Sequence, residues 1–214
     1  MYNLENKVPL ERAIHSWASK CHERCGCIYG GYYPYHLHLD AVVRKVEQFA
    51  HLLEPPIPND LLGVSIVSDP KPRLILAAAA SCHDLLEDCH MTYGELKEKL
   101  TELIKETPLY EKVGEAEKTS ESISNIVYEV TNHKGKSRQE RNLHTWNEIR
   151  SPEATLVKLC DRLCNMTFSF YSSSSMWRKY LEEQKMFEEI LRPISPPALL
   201  PVWNSLAKVC ALKE

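Results

Sequence analysis

Residues 74–89 read LILAAAASCHDLLEDC, and their two halves make opposite demands. The run from Leu74 to Ala80 is apolar on every side, which predicts a helix over about residues 72–89 placed centrally in a helical bundle. An imidazole and three carboxylates, His83, Asp84, Glu87 and Asp88, then arrive where that helix should still be partly buried. Burying them without partners would be very costly. On a helix, His83 and Glu87 share one stripe and Asp84 and Asp88 the next, so a cation beside the helix could satisfy members of both. The alternative is a helix end emerging into water.

The flanking sequence is also helical in pattern. Only 7 glycines occur, and alternating Val/Ile/Thr segments bounded by turns are lacking, so little room is left for sheet. A first helix is predicted over about residues 9–24. A second opens after the turn-like Gly30-Gly31-Tyr32-Tyr33-Pro34 and carries Val42, Val43, Val46, Phe49 and Leu53 at helical spacing. Residues 55–69 form a proline-rich loop. Thr92 with Glu95 three residues later has the arrangement of a capping box and predicts a helix start. Residues 109–118 read as an exposed, charged connection and 119–131 as an amphipathic helix, which the polar His133-Lys134-Gly135-Lys136 stops. Pro152 sits where proline favours a helix start, ahead of EATLVKLCDRLCNMTF. Ser172 to Ser175 form a loop, and further helices are expected over about 177–191 and after Pro197. The fold class is therefore all-α, in one compact domain spanning residues 1–214.

Composition narrows the partners. A net charge of −3 and the absence of a long Lys/Arg block argue against a surface built for a nucleic acid duplex. A small anionic substrate remains compatible, because a metal ion and a few pocket cations can reverse the local field. No apolar run approaches the ~20 residues of a membrane span, and the N-terminal MYNLENKVPL lacks a signal pattern, so the expected location is the cytoplasm. The 8 cysteines read as reduced thiols, Cys160 and Cys164 as small core residues. Cys21, Cys25 and Cys27 with His22 have a spacing that fits no common zinc finger and lacks a second pair. No feature assigns an oligomeric state.

Two more segments carry polar residues in apolar settings. In TLVKLCDRLCNM, residues 155–166, an apolar face of Leu156, Leu159, Cys160 and Leu163 is accompanied by Lys158, Asp161 and Asn165. That line suits either a solvated face or a pocket wall. Tyr35-His36-Leu37-His38 opens the second helix and is weak by itself.

The ordered set of a histidine on one helix, a His-Asp pair on a second and an Asp far downstream resembles the HD superfamily of metal-dependent phosphohydrolases. PYHLHLDAVV, CHDLLEDCHMTYGEL, YEVTNHKGKSRQER and VKLCDRLCNM are similar to the successive motifs of RelA/SpoT-type alarmone hydrolase domains and small stand-alone alarmone hydrolases, over about residues 10–190. The resemblance implies an HD-domain bundle in which His38, His83, Asp84 and Asp161 hold one divalent metal, with His36 a spectator. It assigns Glu87 and Asp88 to activating or steering the attacking water and places Asn165 near metal and substrate. Mixed His/carboxylate ligation suits manganese, iron or a similar ion, and the family usually uses manganese. Such an ion acidifies a water and polarises a phosphoryl oxygen, while a nearby carboxylate accepts the proton.

The implied reaction releases pyrophosphate from the ribose 3′ oxygen of (p)ppGpp, leaving GDP or GTP. With no synthetase-like region up to Glu214, the expectation is a hydrolase only. Two departures bear on this. Of the family's basic cluster after the first helix only Arg24 is kept, and Cys164 stands where the family usually has histidine. Arg24, Lys158 and Asn165 are the expected substrate contacts, with Arg138, Arg141, Trp177, Arg178 and Tyr180 as further candidates. The competing readings are an HD hydrolase acting on a deoxynucleotide or the 2′-phosphate of NADPH, and a helical nucleotide-binding module without catalysis.

Overall fold

A computed structural model describes residues 9–54, 71–107, 113–132 and 135–212. They form a bundle of α1 (Leu10–Arg24), α2 (His36–Phe49), α3 (Lys71–Cys82), the single turn α4 (Leu85–Asp88), α5 (Tyr93–Lys105), α6 (Val113–Val130), α7 (Arg138–Glu148), α8 (Pro152–Tyr171), α9 (Met176–Leu191) and α10 (Leu200–Cys210). The expected all-α architecture is what the chain adopts. The one piece of sheet described is a two-strand hairpin, β1 (Ile28–Tyr29) and β2 (Tyr33–Pro34), antiparallel with Tyr29 opposite Tyr33. No helix among the described residues is long and apolar enough to cross a membrane.

Helix α8 is the axis of the bundle. Ser151 caps it by accepting from the Ala154 amide, Pro152 occupies its first turn, and its residues from Ala154 to Cys164 are all buried. Helices α2, α3, α6, α9 and α10 pack around it. Ala77 to Ala80 of α3 are buried too, and their small side chains let neighbouring backbones approach closely. The capping box expected at Thr92 is present, with Thr92 and Glu95 each bonding the other's amide.

Two expectations meet a different outcome, and one helix had no expectation. The helix expected over 72–89 ends at Cys82, and α4 resumes after His83 and Asp84. The Ala80 carbonyl, which an unbroken helix would pair with the Asp84 amide, accepts instead from His83 Nδ1 at 2.8 Å. The stretch read as an exposed connection is helical from Val113 onward, with Ala116 fully buried. Helix α7 went unassigned, although Ser137 and Glu140 form a second capping box. The proline-rich loop at 55–69, and His133 and Lys134 of the polar loop, lie outside the described residues.

The hairpin is held by a glycine that has no substitute. Gly30 has φ +60°, and a Cβ there would run into the Phe168 ring. This closeness seats Tyr29 beside Phe168, ring centroids 4.2 Å apart, and stacks it on His38 at 4.8 Å. An aromatic lid thus covers the start of α2.

Candidate metal centre

Three helical segments far apart in sequence deliver four donor atoms to one point. His38 comes from the first turn of α2, Asp161 from the middle of α8, and His83 and Asp84 from the break between α3 and α4. His38 Nε2 lies 3.2 Å from His83 Nε2, 3.4 Å from Asp84 Oδ2 and 3.3 Å from Asp161 Oδ1. His83 Nε2 lies 2.9 Å from Asp84 Oδ2 and 3.6 Å from Asp161 Oδ1. Donors bound about 2.1 Å from a common centre are separated by roughly 3.0–3.4 Å for right-angle to tetrahedral geometry. Three of the observed spacings fall in that range, and those at 2.9 and 3.6 Å lie just outside it.

Protonation points the same way. Because His83 Nδ1 donates to the Ala80 carbonyl, its Nε2 carries the lone pair. Two such nitrogens face to face with two carboxylates need positive charge between them. Without it, the groups share protons: burial opposes charge on both imidazoles, yet Asp161 and Asp84 outweigh it for His38 and Asp84 leads in outweighing it for His83, so both stand above the usual histidine range. Burial likewise opposes the carboxylates, but His83 holds Asp84 and Lys158 holds Asp161 well below the usual range. A divalent cation can take the place of those protons. His38, His83 and Asp161 form a buried group able to hold such an ion.

Hydrogen bonds fix the carboxylates. Tyr35 donates its hydroxyl to Asp84 Oδ2 at 2.6 Å. Asn165 donates to Asp161 Oδ1 at 2.6 Å and accepts from the Tyr29 hydroxyl at 3.2 Å. Lys158 Nζ lies 3.4 Å from Asp161 Oδ2 and 3.2 Å from the Val130 carbonyl. Two residues expected at the substrate, Asn165 and Lys158, are therefore engaged with a candidate ligand.

Glu87 and Asp88 stand beside this cluster on α4. Burial pushes Glu87 up to about 7, against Lys158 and a bond from the Asn132 amide. Burial, then the charge of Asp84, raises Asp88. A carboxylate titrating near neutrality is suited to accept and return a proton.

All of these side chains except His83, which lies behind the wall, line one cleft of about 300 Å³, at the lower end of small-ligand sites. Its far part is aromatic and cationic. The Arg162 guanidinium lies over Tyr180 and Phe187, 4.8 and 5.1 Å from their centroids, and bonds Glu183 at 2.8 Å. Arg138 bonds the same Glu183. Asn132 Oδ1 and Asn142 Nδ2 are buried without a hydrogen-bond partner among the described residues, and both residues line the cleft.

Of the candidates read from the sequence, Arg138 and Tyr180 also line the cleft. Arg24 does not: it is exposed at the end of α1. Arg141 and Arg178 are likewise absent from the cleft lining, and Trp177 is a core residue against Phe170. His36 is exposed and apart from the donors. Tyr29, Tyr35, Asn132, Asn142 and Arg162 escaped the sequence reading. For Asn142 the Ser137/Glu140 capping box was an available signal.

A bundle that gathers nitrogen and carboxylate donors on the wall of an open cleft belongs to the class of helical metallohydrolases. The HD domain family matches residues 38–166, more than half of the chain, and the chain belongs to that family. No curated protein matches the sequence. Among solved structures, a metazoan ortholog of SpoT, described as hydrolysing ppGpp and playing a role in starvation responses, has a TM-score of 0.61 at 18% identity, with 95% of each chain covered. That likeness establishes a shared fold. Family and donor set together support a metal-dependent phosphohydrolase.

Proposed function

We propose that the chain is a metal-dependent (p)ppGpp 3′-pyrophosphohydrolase, releasing pyrophosphate and leaving GDP or GTP. The observation that carries the chemistry is the buried group His38, His83 and Asp161, with Asp84 Oδ2 at 2.9–3.4 Å from the two histidines and two further acids beside them. The nucleotide rests on the ordered motifs and on the fold shared with the SpoT ortholog.

In this reading those four residues hold one divalent ion, manganese in first place, which supplies Lewis acidity at the phosphoryl oxygen and at the attacking water. Glu87 takes the water's proton, because its carboxyl titrates near neutrality and the Asn132 amide fixes its orientation. Asp88 steers the same water. Tyr35 and Asn165 keep Asp84 and Asp161 from rotating away. Asn132 Oδ1 and Asn142 Nδ2, without a hydrogen-bond partner among the described residues, meet polar atoms of the nucleotide, and the Tyr180 and Trp146 rings offer it apolar surface.

One observation favours a different nucleotide. Arg24 is outside the cleft lining, and Arg138, Lys158 and Arg162 are already paired with acids, which leaves few cations for a highly phosphorylated ligand. The deciding assay measures phosphate and pyrophosphate release with Mn²⁺ across ppGpp, pppGpp, NADPH and deoxynucleotides, for wild type, Asp84→Ala and Glu87→Ala. Pyrophosphate from ppGpp, lost in both variants, is the expected result. Turnover of another nucleotide alone moves the substrate and keeps the chemistry. Bound metal with no turnover makes the chain a binding module.

A further inference from the structure

A second cluster of metal-binding side chains lies outside the cleft. His22, Cys27 and Cys89 bring their ligand atoms within 4.8 Å of one another. The turn that ends α1 builds half of it. The Cys27 amide bonds the His22 carbonyl at 2.9 Å and the Gly26 amide bonds the Glu23 carbonyl at 3.0 Å, with Gly26 at φ +70°. This is the Schellman pattern, and it folds Cys27 back over His22. Cys89 arrives from 62 positions further along, at the end of α4. It supplies the donor that the cysteines at 21, 25 and 27 lack by spacing alone.

The distances suit a soft tetrahedral ion. Cys89 Sγ lies 3.6 Å from His22 Nδ1. For bonds of about 2.3 Å to sulfur and about 2.05 Å to nitrogen at the tetrahedral angle, that edge is roughly 3.6 Å. The Cys25 thiol interacts with Cys89 but stands outside the group of three. His22 is fully buried, and its Nε2 has no hydrogen-bond partner among the described residues. With its Nδ1 turned to Cys89, the neutral ring carries its proton on Nε2 and offers the Nδ1 lone pair to an ion. Burial keeps it neutral, at about 4, which is the form that ligates. All eight cysteines carry free thiols.

We propose that His22, Cys27 and Cys89 bind one Zn²⁺ ion that clamps the end of α1 to α4, with the fourth position left to solvent. As each zinc–sulfur bond forms, the thiol proton passes to solvent, so binding tightens as pH rises. The clamp sits directly behind the acids of the cleft: Cys27 Sγ contacts the Asp88 carbonyl at 3.9 Å, and His22 stacks on Tyr35 at 4.3 Å.

The test titrates the reduced, full-length chain with Co²⁺ and follows thiolate-to-cobalt charge transfer in the near ultraviolet. The band should appear in wild type, persist in Asp161→Ala and vanish in Cys27→Ser/Cys89→Ser. Zinc content should fall by roughly one equivalent in the double variant. A wild type without the band while its thiols are reduced, or a band unchanged in the double variant, overturns the proposal. Should the double variant not fold, alkylation of the wild-type chain read by mass spectrometry replaces it. Zn²⁺ should slow labelling of Cys27 and Cys89 by on the order of tenfold. Equal labelling with and without Zn²⁺ overturns the site, as does a Cys27–Cys89 disulfide in protein kept under reducing conditions.

Discussion

The two histidine clusters of this fold lie back to back and are built in opposite ways. The cleft cluster takes nitrogen and carboxylate donors from residues spread between positions 38 and 161, so it exists only once the bundle has closed. The thiol cluster takes two of its three donors, His22 and Cys27, from one helix end and turn, and needs a single residue from afar. Mixed nitrogen and oxygen donors on the wall of a cleft leave coordination positions for substrate, whereas a sulfur and nitrogen set away from the cleft suits a soft ion that ties two elements together. Tyr35 joins them, with one face on His22 and its hydroxyl on Asp84. The difference separates an ion placed for chemistry from an ion placed for shape.

Asp84→Ala should break the cleft side of this comparison most severely. Removing a donor on which an effect of several kcal/mol depends lowers kcat/KM by about three orders of magnitude or more. Circular dichroism and the thiolate–cobalt band should stay as in wild type, and loss of that band would merge the two clusters into one. Next comes Glu87→Gln, expected to cost on the order of 10²–10³ in kcat as a proton acceptor is lost. Its stability should move the other way. Glu87 titrates at about 7 in the fold against an ordinary 4.5, so its contribution is fully present below the unfolded value and is lost as pH rises through about 7. Metal-free Glu87→Gln should therefore gain on wild type by on the order of 2–3 kcal/mol at pH 8, and the two should converge towards pH 4 in urea titrations.

Tyr35→Phe tests the link itself. Losing the 2.6 Å bond to Asp84 while keeping the ring on His22 should weaken Mn²⁺ affinity by about 10-fold and leave Zn²⁺ affinity unchanged, as measured by calorimetry. A change in Zn²⁺ affinity instead would show that the stacking depends on the hydroxyl. The smallest effect is expected for Arg24→Ala. An exposed side chain away from the cleft lining should alter kcat/KM less than about twofold and stability by less than ~0.5 kcal/mol.

Sequence reading succeeded where one helix face carries the signal. Helix α8 announces itself through Ser151, Pro152 and an unbroken apolar face, and α5 through Thr92 and Glu95. It failed at α7, whose RQERNLHTWNE is polar along most of its length and is anchored in the core by Trp146. The break at His83 was hidden for another reason. No glycine or proline marks it, and a side-chain bond from His83 to the Ala80 carbonyl ends the helix in favour of the donor cluster. The family resemblance placed His38, His83, Asp84 and Asp161 in one set, and the bundle groups His38, His83 and Asp161 with Asp84 against the two histidines. The partners of those residues, Tyr29, Tyr35 and Asn132, come from the hairpin and helix ends, where contacts are made across the fold and leave no periodic trace. Cys89 is the same case: only the folded chain sets it opposite Cys27.

Glu183 answers to two guanidinium groups at once, Arg138 and Arg162. One negative charge against two positive ones leaves that wall of the cleft with an excess of a single positive charge, while Asp84, Glu87 and Asp88 weight another part of the lining towards negative. A cleft polarised in this way pre-aligns an approaching anion before any contact is made, a long-range torque that acts on the encounter rate. Ions in solution weaken it once their screening length, about 8 Å at physiological strength, becomes shorter than the approach distance. Capture of substrate is then set partly by the salt of the surrounding medium, through a carboxylate that never touches the reacting phosphate.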